Sequence, residues 1–302
     1  MIKRLVSLGS VIVDLVLEVP RLPERGGDVL ATQRGMAAGG ALNVLSAAAR
    51  LGLPGVYAGP HGTGPFGDLV RAALAREGVE ASLPPNPSLD TGWTLALIEP
   101  DAERSFVTVT GADALVSAEA LRSIAYKAGD AVYVSGYDLA YPGAGAALSE
   151  HVAAIGRGPF VVLDPGPLVA EIEAGRLAAV LQRTDMVSLN AREVALLGGL
   201  DAVMSRTRPA ATVVVRQGPQ GATIYAAGSA PVTIPAIEVQ AVDTSGAGDV
   251  HVGANLAGLA RGMKWPDAVL FANRAAAYAV SRPGPAAGPN DVELADFRAG
   301  RW

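Results

Sequence analysis

From about residue 117 onward the sequence alternates short, mostly apolar stretches with longer Ala-rich ones, and this alternation constrains the fold more than any other feature. The apolar stretches 131–134, 160–163, 186–189, 211–216 and 222–226 read as strands. Helices are expected in the gaps near 117–125, 144–155, 168–182 and 190–197, and two long ones at about 247–261 and 266–280. Strands lacking polar alternation are buried on both faces. The expected fold class is therefore α/β, a central, mostly parallel sheet with helices on both faces. Ahead of this region a strand is expected at 5–8, ending at Gly9-Ser10, and a helix at 42–51, ended by Gly52. A short strand at 56–58 and an amphipathic helix at 66–76, stopped by Gly78, follow.

One segment breaks the pattern. Residues 91–99 and 104–110 alternate with period 2 around Pro100-Asp101-Ala102-Glu103, a hairpin signal. Together with 11–38 they predict a small β lid on one main domain spanning 1–302, its strands lying within about 11–38 and 89–112. In the hairpin Trp93, Leu95 and Leu97 alternate against Thr94, Ala96 and Ile98. That pattern suits either a lid-to-lid homodimer or a strand buried on both sides.

Composition excludes much of the remaining chemistry. With no cysteine, disulfides, thiol nucleophiles and sulfur-ligated zinc are ruled out. The histidines, His61, His151 and His251, are too far apart for a local metal-ligand pair. Chemistry is left to carboxylates, backbone amides and a borrowed metal ion. A net charge of −5 with scattered basic residues argues against nucleic acid or an anionic membrane as partner. No apolar run of about 18 residues occurs and Asp14 and Glu18 interrupt the N-terminal stretch, so neither a signal peptide nor a membrane span is expected. The expected location is the cytoplasm.

The strongest motif is Asp243-Thr244-Ser245-Gly246-Ala247-Gly248-Asp249, running into a helix. Glycines ahead of a helix expose amides, and the helix start adds partial positive charge, which suits a phosphate or an oxyanion. Asp249 in the first turn is placed to take a proton from an attacking hydroxyl, or merely to cap the helix. Asn190 and Glu193, three apart after a buried strand, suit Mg²⁺-bound waters or phosphate oxygens, and equally a capping box. Gly218 and Gly221 suit a close approach to a ligand or a plain hairpin. Gly39 and Gly40 with Asn43 suit a hinge, a substrate contact or an ordinary loop before a helix. Gly62-Thr63-Gly64-Pro65-Phe66-Gly67 matches G-x-G-x-x-G, but its prolines and the missing acidic residue about 20 positions on disfavour a dinucleotide. No P-loop sequence is present.

Over about 7–290 the chain resembles the ribokinase-like (PfkB) carbohydrate kinases. The resemblance rests on Gly9 and Asp14 at the first strand, GGALN at 39–43, NAREV at 190–194 and DTSGAGDVHVGA at 243–254. It implies transfer of the ATP γ-phosphoryl, with Mg²⁺, to a hydroxyl of a sugar or nucleoside. It further implies Asp249 as general base and Gly246, Ala247 and Gly248 as anion hole. Asn190, Glu193 (holding the metal through water), Gly218, Gly221, Asp243, Thr244 and Asn273 are then expected around ATP and its metal. Asp14, Gly39, Gly40 and Asn43 would hold the acceptor, and Arg104 would serve one that bears phosphate. A monovalent cation, K⁺, is expected near the loop 282–288. Three departures stand out. Residues 61–67 lack the family's usual acidic pair, and no arginine follows Asp164-Pro165-Gly166-Pro167, which disfavours a phosphorylated acceptor. His251 replaces the usual aromatic residue and is expected to pack beneath the anion hole. Three other readings follow from the same residues: a nucleoside kinase, a non-catalytic nucleotide- or sugar-binding regulator, and an NAD-dependent oxidoreductase resting on 62–67.

Overall fold

The computed structural model describes residues 1–101, 103–284 and 288–300, apart from the side chains of Gln33 and Arg34. Among them the first seven strands are β1 (Arg4–Ser7), β2 (Val13–Glu18), β3 (Thr32–Ala38), β4 (Gly55–Tyr57), β5 (Glu80–Ala81), β6 (Trp93–Ile98) and β7 (Arg104–Val109). Six more follow: β8 (Asp130–Ser135), β9 (Phe160–Asp164), β10 (Met186–Asn190), β11 (Thr212–Arg216), β12 (Ala222–Ala226) and β13 (Val232–Ile234). Nine build one sheet in the order β13-β12-β11-β10-β9-β8-β1-β4-β5, and β3-β2-β6-β7 form a second. The large sheet is parallel from β5 to β11 and turns antiparallel at β12 and β13.

Alternation along each strand divides the core in two. Leu5 packs with the helices Ala41–Arg50, Ala247–Ala260 and Trp265–Val280 on one face, while Val6 packs with Ala144–Ala154 and Ala174–Arg183 on the other. Both faces are therefore covered, as the apolar strands require. The expected helix at 168–182 is broken into a short 3₁₀ turn and a helix beginning at Ala174. The Glu173 carboxylate causes the break, since it accepts the Gly175 and Arg176 amides and starts a new helix there. Helices at Gly136–Ala140, Leu200–Arg206 and Asp291–Arg298 and strands β5 and β13 add to the expected set. No helix among the described residues is long and apolar enough to cross a membrane.

In the small sheet Asp14 pairs with Thr94 and Thr94 with Thr108, while the opposite face carries Met36, Leu15, Leu95 and Val107 in register. Thr94 and Ala96 are buried, but Met36 and Val107 stay exposed, so β6 is not buried on both sides in the single chain. Helix Ala247–Ala260 lies so close to Ala41–Arg50 that a Cβ on Gly253 would stand 2.5 Å from the Val44 carbonyl. Gly253→Ala should cost about 1–3 kcal/mol through overpacking. A fall in the urea midpoint at unchanged m-value would show it.

Candidate active site

The C-terminal ends of β1, β8, β9, β10 and β11 open towards the small sheet, the place where open parallel sheets bind ligands. Here Gly246 adopts φ +70°, a conformation glycine takes without strain, and caps the helix Ala247–Ala260. Ala247 N–H turns back to the Thr244 carbonyl at 3.3 Å. The Gly248 and Asp249 amides have no backbone acceptor among the described residues, as the first turn of a helix leaves its donors free.

Asp249 sits beside these amides and accepts a 3.0 Å hydrogen bond from Asn43 Nδ2. Burial raises its pKa to about 7; the Asn43 bond and Arg216 act against the rise, and the Asp164 and Asp14 charges add to it. Asn43 Oδ1 is buried without a partner among the described residues, which leaves one acceptor beside Asp249 for a ligand. Asp14 reaches the same cleft from β2, its carboxylate lying where a Cβ on Gly39 would collide with it. Burial lifts Asp14 to about 6. Gly40 turns at φ +62°, and a Cβ there would meet the Ser10 carbonyl at 2.6 Å.

The capping reading of Asn190 and Glu193 holds. They form a capping box: Glu193 N–H donates to Asn190 Oδ1 at 2.8 Å and Asn190 N–H to Glu193 Oε2 at 2.7 Å, and Asn190 Nδ2 adds a bond to Oε1 at 2.7 Å. The same box holds the buried Glu193 carboxylate 3.7 Å from Arg216 Nη2, and Asp164 Oδ2 lies 3.0 Å from that nitrogen. Burial, reinforced by Asp164, pushes Glu193 above the ordinary carboxylate range. Asp164 and Arg216 were not singled out as site residues from the sequence. The available signal was a single charge closing each of two otherwise apolar parallel strands. Tyr137, half-exposed after β8, also faces the site; burial first and then the charges of Asp249, Asp164, Asp14 and Glu193 push its pKa up to about 12.

The remaining candidates lie around this centre. Gly218 and Gly221 form the β11–β12 turn, closed by Gln217 N–H to the Gly221 carbonyl at 2.7 Å. A Cβ on Gly221 would strike the loop at Ile234. Asn273 is buried away from the cleft, donating to the Ile234 and Pro235 carbonyls and meeting His251 Nε2 at 3.1 Å. His251 packs as expected, and burial, with Arg216 adding to the effect, lowers its pKa to about 3. Thr244 is exposed. Arg104 crosses from β7 to Asp243 Oδ1 at 3.0 Å and also bonds Ser245 Oγ. Asp243 further accepts from Ser245 N–H and Gly284 N–H; burial opposes its charge, but these bonds hold it below the usual range. Part of the loop 282–288 lies outside the described residues.

The glycine run at 62–67 has a different occupant. Asp90 accepts the amides of Phe66 at 3.1 Å and Gly67 at 2.7 Å, filling the helix start that a pyrophosphate would need. No group of three or more His, Asp or Glu side chains among the described residues could cage a metal.

An open α/β sheet with glycine-built amides and acidic side chains at its strand ends is the ribokinase-like fold of small-molecule kinases. The family profile "pfkB family carbohydrate kinase" matches residues 2–292, and the chain belongs to that family. It is a sugar kinase of this family. It is 35% identical over 298 residues to the "Uncharacterized sugar kinase YegV" of Escherichia coli, covering 95% of this chain and 91% of that one. It is 27% identical over 294 residues to the ribokinase of Haemophilus influenzae, covering 93% and 94%. Among solved structures, the fructokinase of Vibrio cholerae, bound to fructose, ADP and calcium, superposes with a TM-score of 0.78 at 26% identity, covering 97% and 98%. The ribokinase of Thermotoga maritima gives 0.81 at 22% identity, covering 98% and 99%.

The Asn43 bond favours charged Asp249, so Asn43→Leu should raise the Asp249 pKa above about 7. Carbon-13 NMR of labelled aspartate would follow this titration; an unmoved or lowered midpoint would contradict the arrangement.

Proposed function

We propose that the protein transfers the γ-phosphoryl of Mg·ATP to a hydroxyl of a small, unphosphorylated carbohydrate. The observation behind this reading is the convergence of Asp14, Asn43 and Asp249 on one cleft beside the free Gly248 amide. Asp14 and Asn43 Oδ1 accept hydrogen bonds from acceptor hydroxyls and orient one of them. Asp249 takes the proton of that hydroxyl as its oxygen attacks the γ-phosphorus, and the bond to the ADP oxygen breaks. The amides at the helix start stabilise charge on the transferring group, with Gly246 and Ala247 shaping the turn that aims them. Arg104 is already engaged by Asp243 and Ser245, so no free cation is offered to an acceptor phosphate from β7.

Magnesium, bound with ATP, would neutralise phosphate charge. Both Glu193 oxygens already accept from Asn190, which suits contact through a metal-bound water better than direct ligation. Gly218, Gly221, Asp243 and Thr244 border the nucleotide in this reading, and Asn273 supports that edge by holding Pro235. A monovalent cation is placed by the loop at Gly284, which Asp243 ties to the anion hole. The exposed row of Met36 and Val107 is proposed as a homodimer face, and dependence on ATP fits the cytoplasm. A nucleoside acceptor is the second reading, favoured by the exposed Phe106, which shares its sheet face with Thr108 and Asp14, and by Tyr137 across the cleft.

An ADP-release screen over sugars, sugar alcohols and nucleosides decides between acceptors; silence across the whole panel would instead support a non-catalytic regulator. With the acceptor in hand, Asp249→Asn should lower kcat on the order of 10²–10⁴-fold, and near-full turnover would remove Asp249 as the base. The base acts when ionised and its pKa is raised, so activity is lost as pH falls. The profile of kcat/KM should drop about tenfold per pH unit below about 7 and level off above it.

A further inference from the structure

We infer that Arg216 is a catalytic residue whose Nη1 donates to the phosphoryl group held at the Gly248 amide; this rests on the kinase reading above. Arg216 closes β11, and its guanidinium lies directly under the helix start. A Cβ on Gly248 would collide with Nη1, so glycine is what admits the guanidinium edge to the anion hole. The rest of the guanidinium is committed elsewhere. Nε donates to the Leu189 carbonyl at 3.4 Å, and Nη2 meets Asp164 at 3.0 Å and Glu193 at 3.7 Å. Nη1, the nitrogen nearest Gly248, has no acceptor among the described residues.

Arg216 is only partly buried, and its guanidinium keeps its charge, so Nη1 remains a positively charged donor beside the helix start. An anion bound at the Gly248 amide would lie beside this charge and meet both donors. The planar fork suits this arrangement: one amino group is anchored on Asp164 while the other faces a phosphoryl oxygen. In the transfer the acceptor O–P bond forms and the P–O bond to ADP breaks. The hydroxyl proton passes to Asp249, and Arg216 keeps all its protons while countering charge on the equatorial oxygens. A purely structural Arg216 would only neutralise Asp164 and Glu193, and would be indifferent to whether a phosphoryl mimic is present.

Calorimetry of Arg216→Lys and Arg216→Gln with Mg·ADP, and with Mg·ADP plus aluminium fluoride as a mimic of the transferring group, separates the two roles. The unmodified protein should bind the fluoride complex more tightly than Mg·ADP alone. Both variants should bind Mg·ADP within about threefold of the unmodified protein and lose that extra tightening. With the acceptor found by the screen, kcat should fall on the order of 10²–10³-fold at a nearly unchanged acceptor KM, Lys falling less than Gln. Retention of the tightening and of kcat within about threefold would overturn the proposal. If the unmodified protein binds neither nucleotide form, the kinase reading fails and the proposal falls with it. A crystal structure of the unmodified protein with Mg·ADP and aluminium fluoride does not depend on variant folding. Nη1 should lie within about 3.2 Å of a fluoride, and a separation beyond about 4 Å refutes the contact even if both variants misfold.

Discussion

One guanidinium makes this cleft tenable. Asp164, Glu193 and Asp249 come from three different elements, and like charges brought together in a partly dry site raise one another's pKa. Arg216 stands among them, ion-paired to Asp164 and within reach of Glu193, so the acidic residues need not all be protonated to coexist. Gly248 is small because the guanidinium lies beneath it, and His251 stays neutral partly because the same charge is near. The capping box at Asn190 fixes Glu193 at its distance from this centre. Burial sets the Asp249 pKa high, and Arg216 together with Asn43 keeps it from rising further.

How much was legible in the sequence depended on how local each feature is. The turn and helix at 243–260 could be read because glycines, helix start and Asp249 are contiguous. The buried strands were equally plain, since an apolar run bounded by turn residues needs no partner to be recognised. The contacts that make the site are not local. Asn43 meets Asp249 across 206 positions, and Arg104 meets Asp243 across 139. Arg216 gave no periodic signal, because its meaning lies in Asp164, Glu193 and Gly248, brought beside it by three separate crossovers. The break at Glu173 was missed for a different reason: a glutamate cap is uncommon, and Ala174 onward continues a helical pattern.

The two sheets are joined through the same chemistry. Asp113 accepts the amides of Gly92 and Gly111, at the roots of β6 and β7, at 2.5 and 3.0 Å. Asp138 accepts the Ser10 amide at 3.0 and 3.1 Å where the chain leaves β1 for β2. Burial raises Asp138 to about 7, against the Ser10 bonds that lower it, and Asp113 adds to the rise. Backbone amides at a chain crossing need fixed acceptors, and here two buried carboxylates serve. At its far end the small sheet is tied down once more, through Arg104 to the loop that shapes the anion hole.

The carboxylate of Asp90 on the amides of Phe66 and Gly67 has a consequence beyond stabilising one helix. Glycine-rich helix starts of the kind that attract phosphates include those at 62–67 and at 246–248. The chain plugs the first with its own anion, held in place by covalent attachment at a local concentration that no solute can match. A phosphorylated molecule arriving from solution therefore finds the start at 62–67 already occupied. Competition among nucleotide, product and free phosphate is thereby kept off that helix start.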